Sequence, residues 1–363
     1  MARPTAILLN DTTDWYHWGC TATSLGLKSL IGERYDLIDA VPIRVTYGLA
    51  RPPNSPTQFQ DAAFFRAHAA DNADLYRRIE RADCVFVHGE GTIHGLSRAA
   101  VNLLYMAFAA RRHLGKPVYV VNHSLYPHTG RGADAASADA FYRSIYAVFD
   151  YIAIRETLSK EIADRLGMPA VLSFDCLPLT AGQLFSTRPA RGETLAIAGS
   201  VAFEAVGLGP LVAFANGMKQ RGHQPVVITG AQAKPAADDA RFVAALRALG
   251  TGDWRYVEAG SLTEWLSTIG SAALLVSGRF HHSLAAFAMR TPFVMLNSNT
   301  PKMNALAAML GAPEPIRYDD PQLDRLLVER AEQARSEDFA RSVFDPARNG
   351  SLLDLARKNL PPA

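Results

Sequence analysis

The chain has 363 residues, enough for two domains of ordinary size, and 48% hydrophobic with 20% charged residues is a globular composition. A net charge of +2 argues against a nucleic-acid binder held by bulk charge, leaving only a local basic cleft as an option.

Apolar runs of strand length recur in chain order. In the first half they are residues 5–9, 36–43, 84–87, 118–121, 151–154 and 170–174. The second half offers 194–198, 224–229, 254–258, 273–277, 293–296 and a twelfth at 315–318. Helix-like stretches separate them, such as 99–113 and 238–249, rich in Ala, Leu and Arg. This alternation predicts an α/β fold of parallel sheets covered by helices on both faces. Pro, Gly and Thr interrupt the pattern near 178–193, so two Rossmann-like, doubly wound domains facing a central cleft are expected. The expected division is 1–180, 193–345 and a C-terminal helix within 346–363.

The three cysteines, Cys20, Cys84 and Cys176, are far apart and in no metal-ligand spacing. Reduced, buried thiols in a cytoplasmic protein are expected, with no metal. The first apolar stretch, Ala6-Ile7-Leu8-Leu9, is too short for the core of a signal peptide. No segment reaches the roughly 20 apolar residues that span a bilayer, so any attachment to the inner face of a membrane would be peripheral.

In doubly wound folds the ligand binds where strands end, so the residues just past each strand matter most. They include Asn10-Asp11, Gly89-Glu90-Gly91-Thr92, Asn122-His123-Ser124, Arg155-Glu156, Asp175, Gly199-Ser200, Glu258, Arg279-Phe280-His281 and Asn297-Ser298. The stretch Leu274–His282 is the most informative. A short apolar run breaks at Ser277-Gly278 and continues as Arg279-Phe280-His281-His282, ahead of a helix-like segment. Free N–H groups and the helix dipole favour an anion there, and a guanidinium and an imidazole suit phosphate or carboxylate. Gly89-Glu90-Gly91-Thr92-Ile93-His94-Gly95 is one residue off the dinucleotide spacing and reads better as a turn, either structural or cradling a ligand. Asp175, Glu90 and Glu258 are each either turn formers or bases. Trp15, Tyr16, His17 and Trp18 would stack on a sugar or cover the core.

Gly89-Glu90-Gly91-Thr92, Arg155-Glu156-Thr157-Leu158-Ser159, Gly278-Arg279-Phe280-His281 and the stretch Pro292–Leu296 with Lys302 downstream together resemble the polysaccharide pyruvyl transferase family. The resemblance implies a two-domain GT-B-like fold. It also implies transfer of a pyruvyl unit from phosphoenolpyruvate to sugar hydroxyls, forming a ketal and releasing phosphate. On this resemblance Arg155, Arg279 and His281 contact phosphoenolpyruvate. One departure concerns the loop after the first strand, where the family often has Asn-x-Gly-Asp and this chain reads His17-Trp18-Gly19-Cys20.

The resulting assignment has His281 supplying or relaying a proton and Glu90 or Asp175 deprotonating the sugar. Gly91, Thr92, Ser277 and Gly278 join the donor-binding set, and Asp11, Trp18, His123 and Lys302 the acceptor-binding set. Phosphoenolpyruvate is a co-substrate and no cofactor is needed. The acceptor is a saccharide, free or lipid-linked. A GT-B glycosyltransferase using a nucleotide sugar is the alternative, and a non-catalytic sugar-binding protein is a third reading.

Overall fold

The computed structural model describes residues 2–15, 17–128, 134–201, 203, 205–232 and 237–362; Tyr16 of the aromatic loop lies outside them. The chain runs β1 (Thr5–Asp11), α1 (Trp18–Ile31), β2 (Asp36–Pro42), α2 (Ile43–Gly48), α3 (Ala62–Asp71), α4 (Ala73–Glu80) and β3 (Cys84–Glu90). It continues through α5 (Arg98–Arg112), β4 (Val118–His123), α6 (Ala135–Tyr146), β5 (Tyr151–Ile154), α7 (Thr157–Arg165), β6 (Ala170–Leu172) and α8 (Leu177–Leu184). The second half is β7 (Thr194–Ser200), α9 (Leu208–Gln220), β8 (Gln224–Thr229), α10 (Ala237–Ala248), β9 (Arg255–Glu258), α11 (Leu262–Gly270) and β10 (Leu274–Gly278). After it come α12 (Phe280–Ala288), β11 (Phe293–Met295), α13 (Lys302–Leu310), α14 (Leu323–Ala334), α15 (Glu337–Val343) and α16 (Pro346–Arg357).

Both sheets are wholly parallel. The first has strand order β2-β1-β3-β4-β5-β6 and the second β11-β10-β7-β8-β9. Strands buried on both faces need continuous apolar runs, and Ala6–Leu9, Val85–Val87 and Leu274–Val276 are solvent-free. In the first sheet's core, Ile7, Leu9, Val85, Val87, Val118 and Val120 cluster with Leu103, Leu104 and Phe108 of α5. Ser97 starts that helix by accepting from Ala100 N.

Among the described residues the second sheet has five strands, not the expected six. Residues 315–318 contribute a single bridge, Leu296 with Ile316. Pro313 and Pro315 explain the shortfall, since neither has an N–H to donate to a ladder. Arg155, Asp175 and Arg279 lie just past their strands as expected, but several other residues expected there lie on the strands instead. Asn10, Asp11, Glu90, Asn122, His123, Ser200, Glu258 and Gly278 all fall within strand bounds. The ladders run past the apolar stretches; Glu90 still pairs with His123 and Gly278 with Ser200.

Two compact units result. The first comprises the N-terminal residues through Thr12, Gly26–Cys176 and the C-terminal residues from Asp354; the second comprises Thr13–Leu25 and Leu177–Leu353. These bounds differ from the expected 1–180, 193–345 and 346–363 at both chain ends. The reason is long-range bonding that periodicity does not report. Trp18 Nε1 donates to Ala259 O at 2.7 Å and Thr180 Oγ1 to Ala22 O at 2.7 Å, while Tyr151 OH donates to Lys358 O at 2.6 Å.

Candidate functional site

In the first unit the chain leaves β1 for β2 on one side and returns to β3 on the other, a topological switch point. Strain gathers there. Asn10, Glu90 and Asn122, near the carboxyl ends of the adjacent strands β1, β3 and β4, have φ of 66°, 42° and 49°. Non-glycine residues persist in that region only where their surroundings over-determine them. The surroundings are a polar network. Asn10 Nδ2 donates to His88 O at 2.7 Å and to Thr92 Oγ1 at 3.0 Å. Asn122 Nδ2 lies 2.9 Å from His88 Nε2, and Asn122 Oδ1 accepts from Cys176 N at 3.2 Å.

Arg155 follows β5 and is 1% exposed. Its Nε donates to Ser124 Oγ at 2.8 Å and its Nη1 to Asp175 Oδ2 at 2.8 Å, with Glu90 Oε1 at 3.8 Å. Burial opposes its charge, but the carboxylates of Asp175 and Glu90 outweigh burial and hold the guanidinium pKa above its usual value. Asp175 is fully buried, whereas Glu90 keeps some exposure. Glu156 caps α7 through Ser159 N at 3.0 Å and accepts from Tyr126 OH at 3.0 Å. Burial raises its pKa.

His123, at the end of β4, is fully buried and 2.6 Å from Tyr146 OH through Nε2. Burial, reinforced by Arg155, His94 and His88, drives its pKa well down and keeps the imidazole neutral. Burial likewise lowers His88 to about 4. Asp11 pairs with Lys28 at 3.0 Å. Gly91 opens the turn after β3 and its N–H donates to the Glu90 carboxylate.

The second sheet has its own switch point between β7 and β10. Ser277 Oγ accepts from Arg279 N at 3.0 Å, so this hydroxyl shapes the turn. Gly278 must be glycine, since a Cβ there would sit 2.6 Å from Ser200 Cβ and 2.9 Å from Asn297 O. Arg279 is the N-cap of α12 and is 6% exposed. Its Nη2 donates to Asp238 Oδ2 at 2.7 Å and also to Asp239 Oδ1, both in the first turn of α10. Burial raises the Asp239 pKa; Arg279 opposes the rise and Asp238 adds to it.

His17 Nδ1 is 3.6 Å from Asp239 Oδ2. Burial, then the charges of Arg279, His282, His281 and Lys302, hold the His17 pKa well below its usual value, so this contact joins a neutral ring to a carboxyl. His282 is also held neutral by burial, and its Nε2 accepts from Trp265 Nε1 at 3.1 Å. His281, partly exposed in the first turn of α12, packs so tightly on Gly19 that a Cβ on Gly19 would lie 2.2 Å from His281 Cβ. Trp18 is buried through its bond to Ala259, and Lys302 is the first residue of α13.

The structure thus places Asp11, Glu90, Gly91, Thr92, His123, Arg155 and Asp175 at the carboxyl edge of the first sheet. In the second unit Ser277, Gly278, Arg279 and His281 lie at the β10–α12 turn, Lys302 opens α13 beyond β11, and Trp18 is held by Ala259. Each arginine is paired with buried carboxylates rather than standing as open positive charge, which corrects the simple electrostatic expectation. Sequence reasoning missed His88, Tyr146, Asp238 and Asp239. Acidic residues in a first helical turn are ordinary complements to the dipole, so Asp238-Asp239 carried no distinguishing signal. Among the described residues the three buried cysteines form no disulfide, and no helix is long and apolar enough to cross a membrane.

Solved structures share the fold over nearly the whole chain. A UDP-GlcNAc 2-epimerase from Methanocaldococcus jannaschii matches with a TM-score of 0.58 and 10% identity, covering 92% of this chain and 93% of that one. S. aureus MnaA, solved with UDP, gives a TM-score of 0.58 at 10% identity over 93% and 91%. Arabidopsis thaliana UGT89C1, complexed with quercetin, gives 0.54 at 10% identity over 99% and 98%. These likenesses establish a GT-B-type α/β fold with two parallel sheets. No curated protein sequence matches the chain. The polysaccharide pyruvyl transferase family model matches residues 26–300, which include the turn after β3, Arg155 and the Arg279-Phe280-His281 motif. The chain belongs to the polysaccharide pyruvyl transferase family.

Proposed function

We propose that the chain transfers a pyruvyl group from phosphoenolpyruvate to two hydroxyls of a saccharide, forming a pyruvate ketal and releasing phosphate. The family match across residues 26–300 carries this reading. In the reaction a proton goes to the methylene carbon and a sugar oxygen bonds to the adjacent carbon. A second sugar oxygen then bonds to that carbon as its bond to the phosphate oxygen breaks, and each hydroxyl loses its proton.

The donor carries about three negative charges near neutral pH, so its groups need cations and N–H donors. Arg279 at the amino end of α12, and Arg155, supply guanidinium groups that stabilise the departing phosphate. His281 supplies the proton. Asp175 is fully buried and bonded to Arg155, so it serves to hold that side chain. Glu90, partly exposed and on the same sheet edge, is the better base for a sugar hydroxyl.

The test is incubation with phosphoenolpyruvate and a panel of saccharides, free and lipid-linked. Phosphate release together with a product heavier by a ketal-linked pyruvate is expected. Release of UDP from UDP-sugars with no phosphate release would replace this reading with glycosyl transfer.

A further inference from the structure

Asn359 follows α16, lies beyond the residues matched by the family model, and is fully buried in the first unit. Its Oδ1 accepts from Asn122 N at 2.6 Å and from Ser173 Oγ at 3.3 Å. Its Nδ2 donates to Phe174 O at 2.8 Å and to Ala356 O at 2.8 Å, and meets Cys176 Sγ at 3.4 Å. Phe174 and Cys176 flank Asp175, the partner of Arg155, and Asn122 is the strained residue bonded to His88. One amide therefore joins the end of β4 to the segment after β6, across the position of β5 in the sheet.

The rest of the C-terminal segment is held independently. Arg357 pairs with Glu33 at 2.8 Å and Tyr151 OH bonds Lys358 O at 2.6 Å. Anchoring the segment thus does not require a buried amide, and of the amide's partners Asn122 N, Phe174 O, Ser173 Oγ and Cys176 Sγ lie at the sheet edge, so the group specifies geometry there.

We infer that Asn359 is a positioning residue, contributed by the C-terminal segment, that fixes Asn122 and residues 173–176 so that Asp175 stays seated on Arg155. The inference rests on the proposed pyruvyl transfer for its kinetic consequence only. A misplacement of about an ångström caused by a substitution remote from the reacting atoms can cost about 100-fold in rate.

The test uses full-length Asn359→Leu, which keeps the shape and removes every bond, and Asn359→Asp, which keeps the acceptor and loses the donor unless protonated. Hydrogen exchange, phosphate release from phosphoenolpyruvate and melting temperature are measured for both. In Asn359→Leu, exchange at the Asn122 and Cys176 amides should quicken at least tenfold while other first-unit strands stay protected. Its kcat should fall about 10- to 100-fold, beyond any loss of folded protein. Asn359→Asp should recover activity as pH falls, because the protonated carboxyl can donate to Phe174 O again. Unchanged exchange at those amides, or kcat within twofold of wild type, would overturn the inference. If wild type releases no phosphate, pyruvyl transfer fails and the exchange measurement alone decides the role of Asn359. If Asn359→Leu does not fold, Asn359→Asp decides by its pH dependence: activity that does not recover relative to wild type as pH falls would overturn the inference.

Discussion

Asp239 and Arg279 hold each other out of solvent: the Asp239 carboxyl accepts from the Arg279 guanidinium, and each side chain is 6% exposed. Asp238 binds the same nitrogen from the neighbouring position. An anionic ligand of Arg279 therefore meets a cation already shared by two carboxyls. It gains less than an open guanidinium would give, and gains most when one carboxyl is protonated.

Burial already raises the Asp239 pKa, and an anion placed beside it raises it further, so ligand binding takes up a proton. Affinity for phosphoenolpyruvate should rise as pH falls toward that raised value. Asp239→Asn should lower KM roughly tenfold, about 1.4 kcal/mol, and flatten its pH dependence. Comparing KM for the two proteins from pH 5 to 8 cancels the donor's own titration. Parallel profiles would rule out this coupling.

Arg155 and Asp175 form a buried pair in the first unit, and removing one partner strands the other charge. Arg155→Ala should destabilise the protein by about 3–5 kcal/mol in urea unfolding. Arg155→Met combined with Asp175→Leu should regain most of that stability without regaining phosphate release, because apolar pairs often replace buried ion pairs at little cost. Full stability in Arg155→Ala would show that the pair is not the constraint described.

His17, His88, His123 and His282 are all held neutral by burial, with folded pKa values below the unfolded one. For groups of this kind the unfolded chain binds more protons once pH drops below about 6.5, so stability is intact above that value and is lost as pH falls through the folded values. For His88, lowered to about 4, the contribution is roughly 3 kcal/mol. Melting temperature should drop steeply between pH 6.5 and 4, and His88→Gln should shrink the drop. A flat profile over that window would contradict the burial argument.

Gly19 leaves room for the His281 side chain within the second unit. Because His281 Cβ is fixed to the backbone, Gly19→Ala should force α1 or α12 to shift and carry the imidazole with it, lowering phosphate release about 100-fold at a stability cost of about 1–3 kcal/mol or more. Stability is read by urea unfolding and the ring's displacement by its NMR shifts. Activity close to wild type would remove His281 from the chemistry.

The chain's order by itself pointed to twelve strands, of which eleven form among the described residues, to the doubly wound class and to the family motifs. Those features rest on local chemistry. Buried parallel strands need unbroken apolar runs such as Ala6–Leu9 and Leu274–Val276, and the Ser277-Gly278-Arg279 turn is contiguous. Tertiary structure alone decided that Asp238 and Asp239 neutralise Arg279, 41 and 40 positions away. It also decided that residues 13–25 group with the second unit and that Asn359 lies beside Asp175. Hydrogen-bond partners distant in sequence impose no period on the intervening residues. A lone Asn near the chain end, or an acidic pair opening a helix, reads as ordinary surface until folding brings its partner within 3 Å.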